Sequence, residues 1–434
     1  MKCISLTLPA FRQLSAVFLG LGMIVTATQV NFAQAASGAT DNSIPGWKQF
    51  AAQLGDLDTK FVSLLPERLR NDPQVRAEAG RLLLEALASK TIWAIGSDPD
   101  HPAFLPVSQF YLNVGQPNAD TTYRSAAIDA TGSYRIRGQP GSLRILRLGL
   151  FAPPRVGPAF SLPIPTYYDF KALHLDAQGR FDVLVSPERP AGYKGDWWQL
   201  KPNTEQLLLR QVAFDWASER DPRVSIERVD RPVYRPRPTA VDLKKRLDKL
   251  ADEVSNAALL LIDHVENLRK QGYINKLKLY DYSHQGGLIG QTYFEGAYEL
   301  KPDEALIVEA KVPAGCTYWS ILLADDIYET IDWYNNQSSL NGAQARVDPD
   351  GVVRYVISAK DPGVPNWLDT AGYNSGAIQG HWLECSDNPV PAVRKVNFAD
   401  LRANLPPDTP AISAQQREEL VRERRSQVQQ RPLW

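Results

Sequence analysis

The stretch VDPDGVVRYVIS, residues 347–358, decides how this chain can fold. Its Asp-Pro-Asp-Gly segment is typical of a tight turn, because aspartate bonds the turn backbone and Gly351 can take a positive φ. The residues after the glycine are rich in valine and isoleucine, which favours a strand. The stretch therefore predicts a β-hairpin.

A second copy of this pattern lies earlier in the chain. LDAQGRFDVLVS occupies residues 175–186, an offset of 172, and TYRSAAID at residues 122–129 resembles TYFEGAYE at residues 292–299, an offset of 170. The proline and tryptophan residues that follow each hairpin repeat in the same order. Ordered matches at nearly one offset predict an internal duplication, although chance similarity between two Asp-x-x-Gly hairpins is the alternative.

Short strand patterns, separated by proline and glycine, surround both hairpins. They predict a mainly β fold with accessory helices (α+β), in which two antiparallel β-sandwich or jelly-roll-like modules each leave one sheet face wet. The expected segments are a signal peptide (1–35), an N-terminal helical segment (36–108), a first β-module (109–230), a Pro/Arg connector with a long helix (231–275), a second β-module (276–390) and a C-terminal helical tail (391–434).

Helix boundaries carry their own signals. Asp72 followed by Pro73 is typical of an N-cap and first helical position, and Thr239 is expected to cap a long helix that runs to Lys270. SAQQ at residues 413–416 has the pattern of a capping box.

The composition excludes several protein classes. Hydrophobic residues make up 44% of the chain and charged residues 22%, values typical of globular proteins rather than disordered, collagen-like or multi-span membrane chains. Lys+Arg 48 against Asp+Glu 49 gives a charge of −1, which argues against nucleic acid as the partner.

The N-terminus has the pattern of an export signal. Lys2 and Arg12 precede an apolar run, LSAVFLGLGMIVTA, and Ala33 and Ala35 offer small residues for cleavage after Ala35. We expect a periplasmic or secreted protein with no membrane span after cleavage; an uncleaved anchor is the alternative. Removing Lys2 and Arg12 leaves 46 bases against 49 acids, a charge of −3.

Two cysteines remain after this cleavage, Cys316 and Cys385. Each lies at the end of a predicted strand, and an oxidising compartment would allow a disulfide between them. Two buried free thiols are the alternative. Neither cysteine lies in a pattern typical of metal binding.

The densest polar loop, DPGVPNWLDT, runs from Asp361 to Thr370. Asp361, Asn366 and Asp369 offer oxygen atoms and Trp367 an apolar face, a set that suits sugar hydroxyls, a hard cation or a general acid/base pair. The alternative is a structured loop whose side chains bond its own backbone.

Two further segments are candidates for ligand binding. Trp333 and Tyr334 precede two asparagines between strands, a combination found on sugar-binding surfaces and also in cores. NADTTYR, residues 118–124, enters the first module; its Asp120 and Arg124 are expected to form a buried ion pair or to clamp a ligand, beside Asn118 and Tyr123.

The usual catalytic motifs are absent from the sequence. It contains no GxSxG, HExxH or Walker A pattern, and its five histidines form no metal pair at short spacing. We therefore expect no metal site, and the cofactor is unknown. His264, on the long helix, is expected at the surface or in packing.

The stretch DPGVPNWLDTAG at residues 361–372, after the hairpin, resembles the bacterial family known as domain of unknown function 1214, and residues 118–121 (NADT) resemble the companion domain 1254. Together the resemblances cover residues 70–410 and imply two β-sandwich modules in an exported protein. The family carries histidine where this chain has Tyr373. The resemblance implies no reaction and brings no catalytic residue.

Three functions fit these patterns. The first is binding of a small polar or aromatic ligand such as a carbohydrate, through the residues of the candidate segments. The second is a hydrolase or lyase using Asp361 and Asp369, with His381, as acid/base groups. The third is an envelope interaction protein without a small ligand. The sequence does not decide whether the protein is an enzyme or what its oligomeric state is.

Overall fold

The structure is a computed structural model that describes residues 43–153 and 163–432, and from Ile44 onward these residues belong to one unit. The expected signal peptide and its cleavage after Ala35 lie outside the described residues. Among the helices that are described, none combines the length and the apolar character that a membrane span requires.

The first module is built from two sheets, whose order in the described chain is β1-β2-β8-β4-β5 and β7-β6-β3-β9. The strands are β1 (Leu105–Ser108), β2 (Thr121–Ala127), β3 (Tyr134–Gln139), β4 (Ile145–Phe151), β5 (Thr166–Asp169), β6 (Phe181–Ser186), β7 (Asp196–Gln199), β8 (Gln206–Val212) and β9 (Arg223–Arg228). All pairs are antiparallel except β6 with β7, which is parallel.

The second module repeats this arrangement, with sheet orders β10-β11-β17-β13-β14 and β16-β15-β12-β18. Its strands are β10 (Lys278–Tyr280), β11 (Gln291–Glu299), β12 (Glu304–Lys311), β13 (Tyr318–Ala324), β14 (Ser339–Asn341), β15 (Val352–Ser358), β16 (Trp367–Asp369), β17 (Ser375–Leu383) and β18 (Ala392–Asn397). The parallel pair recurs between β15 and β16. Each strand of one module therefore has a counterpart nine strands later, which confirms the predicted duplication.

The two hairpins that revealed the repeat have the same turn. Gly179 donates its backbone N–H to the carbonyl of Asp176, and Gly351 donates to the carbonyl of Asp348, both at 2.9 Å. The glycines have φ values of 70° and 78°, in the left-handed region that other residues rarely adopt.

Each module is a sandwich because the alternating apolar residues of its two sheets share one core. In the first module Leu146 and Leu148 of β4 pack in one cluster with Val183 and Val185 of β6. In the second, residues of β13 and β15 do the same: Ile321, Leu323, Val353 and Tyr355.

The α-helices lie before the first module, between the two modules and after the second module. They are α1 (Trp47–Gly55), α2 (Leu57–Leu64), α3 (Pro73–Gly96), α4 (Ala240–Leu259), α5 (His264–Lys270) and α6 (Ala414–Gln429). Asp72 caps α3 by accepting from two backbone N–H groups, and Thr239 and Ser413 each form a complete capping box. These caps confirm the predicted helix starts. The starts could be predicted because a cap depends only on residues close together in the sequence.

Three expectations about elements were wrong. The long helix does not reach Lys270, since it stops at Leu259 and restarts as α5; the intervening residues contain no glycine or proline, so only tertiary packing explains the break. Strand β18 lies in the segment expected to be a helical tail, where pairing with β12 orders it. Strand β1 lies at the end of the N-terminal segment that was expected to be helical. Pairing with β2 of the first module orders it there.

A disulfide joins Cys316 and Cys385, with the two sulfur atoms 2.06 Å apart. It links the segment that leads into β13 to the segment that follows β17, and these two strands are neighbours in one sheet. The free-thiol alternative therefore does not describe this structure.

Candidate functional site

The five-stranded sheets of the two modules turn their outer faces toward each other. Ile145 and Val212 of the first module form one buried cluster with Tyr318 and Leu383 of the second. The sheet faces expected to be wet are therefore buried where the modules meet, and polar side chains on them lie in an interface.

A cleft of about 470 Å³ is lined by residues of both modules. Asn118 and Arg210 come from the first module, and strands β10, β11 and β17 supply most of the second module's contribution. The break between α4 and α5 forms another wall, from Leu259 to His264. The irregular segment that the sequence pattern missed is thus part of the cleft.

The duplication places equivalent residues in this cleft or directly beside it. Tyr123 lies opposite Arg210 across β2 and β8, and Tyr293 lies opposite His381 across β11 and β17. The two tyrosines are 170 positions apart, and Arg210 and His381 are 171 positions apart. The same position of the repeat therefore carries a guanidinium in one copy and an imidazole in the other.

Glu295 is the central acid of the cleft and has no exposed surface. Its Oε2 accepts a hydrogen bond from the Tyr282 hydroxyl at 2.6 Å and lies 2.9 Å from His264 Nε2. Lys278 Nζ is 3.7 Å from Oε1, which has no hydrogen-bond partner among the described residues. A buried carboxylate oxygen without a partner is costly, so the cleft presents a free acceptor.

Tyr328 holds the far side of this network. Its hydroxyl accepts from Gln379 Nε2 at 2.6 Å and lies 3.1 Å from the Tyr282 hydroxyl. Burial raises the pKa of both tyrosines well above the ordinary value, so both hydroxyls keep their protons. Tyr328 also has a φ of 66°, a strained conformation for a bulky residue that is often found at functional sites.

His381 faces the cleft from β17 and connects it to the module interface. Its Nδ1 lies 2.8 Å from Ser320 Oγ, which is 2.7 Å from the Tyr318 hydroxyl. Tyr318 in turn donates to Asp120 Oδ2 at 2.6 Å. Burial, and then the charge of Arg210, lower the pKa of His381 to about 3, so the imidazole is neutral at pH 7.

The Asp120–Arg124 ion pair expected from the sequence is not formed. Asp120 instead accepts from Trp216 Nε1 and Asn341 Nδ2, both at 2.7 Å, besides Tyr318. Arg124 donates to the Gln211 side chain at 2.5 Å. The carboxylate of Asp120 is therefore hydrogen-bonded by donors from both modules instead of by Arg124.

Asn118 and Tyr123 lie on the same side of the first module. Asn118 lines the cleft and donates to the Tyr318 hydroxyl at 2.9 Å. Tyr123 lies under the Arg210 guanidinium, whose carbon is 5.2 Å from the ring centre.

The polar loop around Trp367 binds the C-terminal helix. Asp361 Oδ2 accepts from Arg417 of α6 at 2.9 Å, and the Arg417 guanidinium lies 5.1 Å from the centre of the Trp367 ring. Trp367 is buried and donates to the Ser358 carbonyl at 3.0 Å. These contacts do not include the cleft residue His381.

Two of the remaining loop residues, Asn366 and Asp369, have structural partners too. Asn366 donates to the carbonyls of Arg346 and Arg354 at 2.7 and 3.0 Å. Asp369 accepts from the Ala371 backbone at 2.8 Å, and burial raises its pKa. Thr370 is fully buried, and its hydroxyl lacks a partner among the described residues. Ligand or acid/base roles for this loop stay predictions.

Trp333 and Tyr334 belong to a different apolar cluster. Trp333 is buried with Trp216 and Val428, and its carbonyl accepts from Arg424 of α6. Tyr334 is half-buried, with its ring centre 5.3 Å from that of Phe110. Neither residue lines the cleft.

The main cleft residues were therefore missed by sequence reasoning: Arg210, His264, Tyr282, Glu295, Tyr328 and Gln379. A signal existed, because Glu295, Gln379 and His381 are polar residues within two strands whose central residues are buried on both faces. Polar residues on such strands are paired with one another or with a ligand.

A second cavity, also of about 470 Å³, gathers acids on the other side of the Tyr328 loop. Carboxylate oxygens of Glu78, Asp325 and Glu329 lie within 4.8 Å of one another and could hold a cation, although the sequence shows no metal-type spacing. Burial raises the pKa of Asp325 to about 8 and that of Glu329 well above its ordinary value. These acids came together only through the fold.

Comparison with known proteins supports the fold and gives no activity. Residues 298–376 match the sequence model of the family described as "Protein of unknown function (DUF1214)", which confirms that resemblance over this segment. The resemblance of residues 118–121 to the companion domain stays a prediction. No curated protein matches the chain.

The solved structures that match this chain include the following two. An uncharacterised protein from Burkholderia cenocepacia is 27% identical with a TM-score of 0.73, over 82% of this chain and 97% of that chain. A protein from Vibrio parahaemolyticus is 13% identical with a TM-score of 0.41, over 74% and 98% of the two chains. The Burkholderia protein shows that the two-module architecture occurs in a relative.

Proposed function

We propose that this is an exported protein whose cleft between the modules binds a small polar or aromatic ligand, such as a carbohydrate. The observation that carries the proposal is that Oε1 of the fully buried Glu295 accepts no hydrogen bond from the described residues, although Lys278 Nζ lies 3.7 Å away as an ion-pair partner. A ligand hydroxyl would donate to this oxygen and remove the cost of leaving it unpaired.

The walls of the cleft fit a ring-shaped ligand. Tyr280, Tyr282 and Tyr293 offer aromatic faces, and Asn118 and Gln379 add amide groups. The volume of about 470 Å³ lies within the range of about 300–1,000 Å³ that is usual for small-molecule sites.

Export to the periplasm or to the medium is supported by two features. The N-terminal residues have the pattern of a cleavable signal. The disulfide between Cys316 and Cys385 is of a kind that persists in oxidising compartments.

Thermal unfolding in the presence of sugars and phenolic compounds tests the proposal. A ligand at a hundred times its Kd should stabilise the protein by about 2.7 kcal/mol. Glu295→Gln replaces one of the two acceptor oxygens by an amide NH2 group, which cannot accept from a ligand hydroxyl, and should weaken the shift. Glu227→Gln is the matched control, because Glu227 is an exposed residue of β9 that does not line the cleft, and it should behave like the wild type.

The second candidate function is a hydrolase or lyase. It is favoured by the 2.9 Å contact between His264 Nε2 and Glu295 Oε2, with the Tyr282 hydroxyl on the same oxygen. Such a group of proton donors and acceptors supports general acid/base catalysis. If the wild type converts a bound ligand and Glu295→Gln abolishes this turnover, the protein is an enzyme. Binding without turnover supports the first function. No stabilisation by any compound would favour an envelope interaction protein.

A further inference from the structure

We propose that the ligand of the cleft carries a carboxylate group and that Arg210 binds it. This inference rests on the proposed binding function and narrows it to sugar acids and aromatic acids. Arg210 is the recognition residue, and Tyr123 and Tyr167 hold it in place.

Arg210 is a cation without an acidic partner. Among the described residues, no carboxylate forms an ion pair with it. The nearby acids Asp169 and Glu384 pair instead with Arg147, the residue opposite Arg210 across β4 and β8. The sheet therefore leaves one of two adjacent arginines available for an anion.

The guanidinium is held in a fixed position at the cleft. Its carbon lies 5.2 Å from the centre of the Tyr123 ring and 5.7 Å from that of Tyr167. Nε donates to the Tyr167 hydroxyl at 3.0 Å, and Nη2 donates to the Gly286 carbonyl. A guanidinium has five N–H groups, so these two bonds leave donors for a ligand. A pre-positioned arginine loses little entropy when it binds a carboxylate.

The other charged groups of the cleft do not compete for this role. Lys278 pairs with Glu295 at 3.7 Å, and Glu295 also contacts His264. His381 is neutral at pH 7. Asp263, the other acid that lines the cleft, is exposed to solvent, which screens its charge. An anion would thus meet an uncompensated cation at Arg210, and its binding would offset the desolvation of that cation.

Matched ligand pairs test the inference: galacturonate against galactose and benzoate against benzyl alcohol. We expect the carboxylate of at least one pair to bind ten times more tightly or better to the wild type, as measured by titration calorimetry. Arg210→Gln should remove this preference and leave the affinity for the neutral partner unchanged. Arg210→Lys, which keeps the charge, should retain part of the preference.

The control variant is Arg180→Gln, because Arg180 lies on the exposed hairpin of the first module and is paired with Asp176. It should keep the wild-type preference. Equal affinities for acid and neutral ligand in the wild type, or an unchanged preference in Arg210→Gln, would overturn the inference while leaving the proposed function intact. Absence of binding by every compound would instead refute the proposed function. If Arg210→Gln does not fold, the wild-type affinity ratio and its fall with rising salt still decide the question.

Discussion

Arg210 and His381 occupy equivalent positions of the repeat but differ in charge. The guanidinium stays charged among three tyrosine rings, whereas the imidazole is held neutral by burial and by the nearby guanidinium. Divergence at one position of a duplicated strand pair therefore produced an asymmetric cleft. A neutral substitution at Arg210 should therefore remove charge from the site, whereas a neutral substitution at His381 should leave its charge unchanged at pH 7.

Replacing His381 should change how stability depends on pH. The folded-state pKa of His381 is about 3, against an ordinary value of 6.5. Between these two pH values the unfolded chain binds a proton at this residue and the folded chain does not. The free energy of unfolding of the wild type should consequently fall as pH drops from 6.5 toward 3, by up to about 1.4 kcal/mol per unit. His381→Asn should lack this contribution, as measured by urea unfolding at pH 4, 5, 6 and 7.

The matched control is His174→Asn. His174 is exposed, and its hydrogen bond to Asp196 raises rather than lowers its pKa, so its loss should not reduce the acid sensitivity. A wild-type pH dependence that persists in His381→Asn would contradict the neutral, buried state of this residue.

At the scale of elements, α6 joins the two modules through buried arginines. Arg424 donates to the Trp333 carbonyl at 2.7 Å and lies 4.6 Å from the centre of the Trp216 ring in the first module. Burial lowers its pKa to about 10, so it stays charged at pH 7. Arg417 lies about two turns earlier on the helix and binds Asp361, so that the helix covers the polar loop of the second module.

Arg417→Ala should destabilise the protein by about 2–4 kcal/mol, because it breaks a largely buried ion pair and leaves the Gln337 side-chain oxygen without its donor. Arg422→Ala, on the same helix, removes an exposed pair with Glu418 and should change stability by less than about 1 kcal/mol. Urea unfolding compares the two variants. Equal effects would show that the position of Arg417 under the loop is unimportant.

Removing the disulfide should also destabilise the second module. The bond closes a loop with a sequence separation of 69, for which the chain-entropy estimate is about 4 kcal/mol. The double variant Cys316→Ser, Cys385→Ser should lose stability of this order in chemical unfolding without reductant. Reduction of the wild type should cause a similar loss of stability. A loss in the double variant that the reduced wild type does not show would indicate that the serines themselves strain the structure.

At the scale of the whole molecule, the modules share buried groups instead of meeting at a wet boundary. The cluster of Ile145, Val212, Tyr318 and Leu383 crosses the interface, and Asp120 accepts from donors of both modules. Opening the interface would expose apolar surface and leave buried donors unpaired. Either module should therefore depend on the other for stability.

Thermal unfolding should accordingly show a single transition with a calorimetric enthalpy close to the van't Hoff enthalpy. Val212→Asp, which buries a charge in the shared cluster, should lower the transition temperature of the whole protein. Two resolved transitions in the wild type, one for each module, would contradict the coupling of the modules through this interface.

The sequence alone predicted the sandwich fold, the duplication and the helix caps. Each of these depends on a local pattern: the period of the strands, the repeated hairpin turn, or the residues at the start of a helix. It could not predict the cleft. Glu295 and His264 are 31 residues apart, and Arg210 lies in the other module, so no short pattern joins them. Trp367 and Asp361 were predicted to form a site because loops rich in polar and aromatic residues are common in sites. The structure shows that both contact Arg417 of α6, and the role in a site stays a prediction.

Local sequence determined which residues form strands and which sheet face each residue takes, since both follow from a period of two and from turn residues. Only the tertiary structure decided that the outer faces of the two large sheets meet each other instead of water. That packing turned polar strand residues such as Glu295 and His381 into the lining of a cleft, because their hydrogen-bond partners come from distant segments brought together by burial.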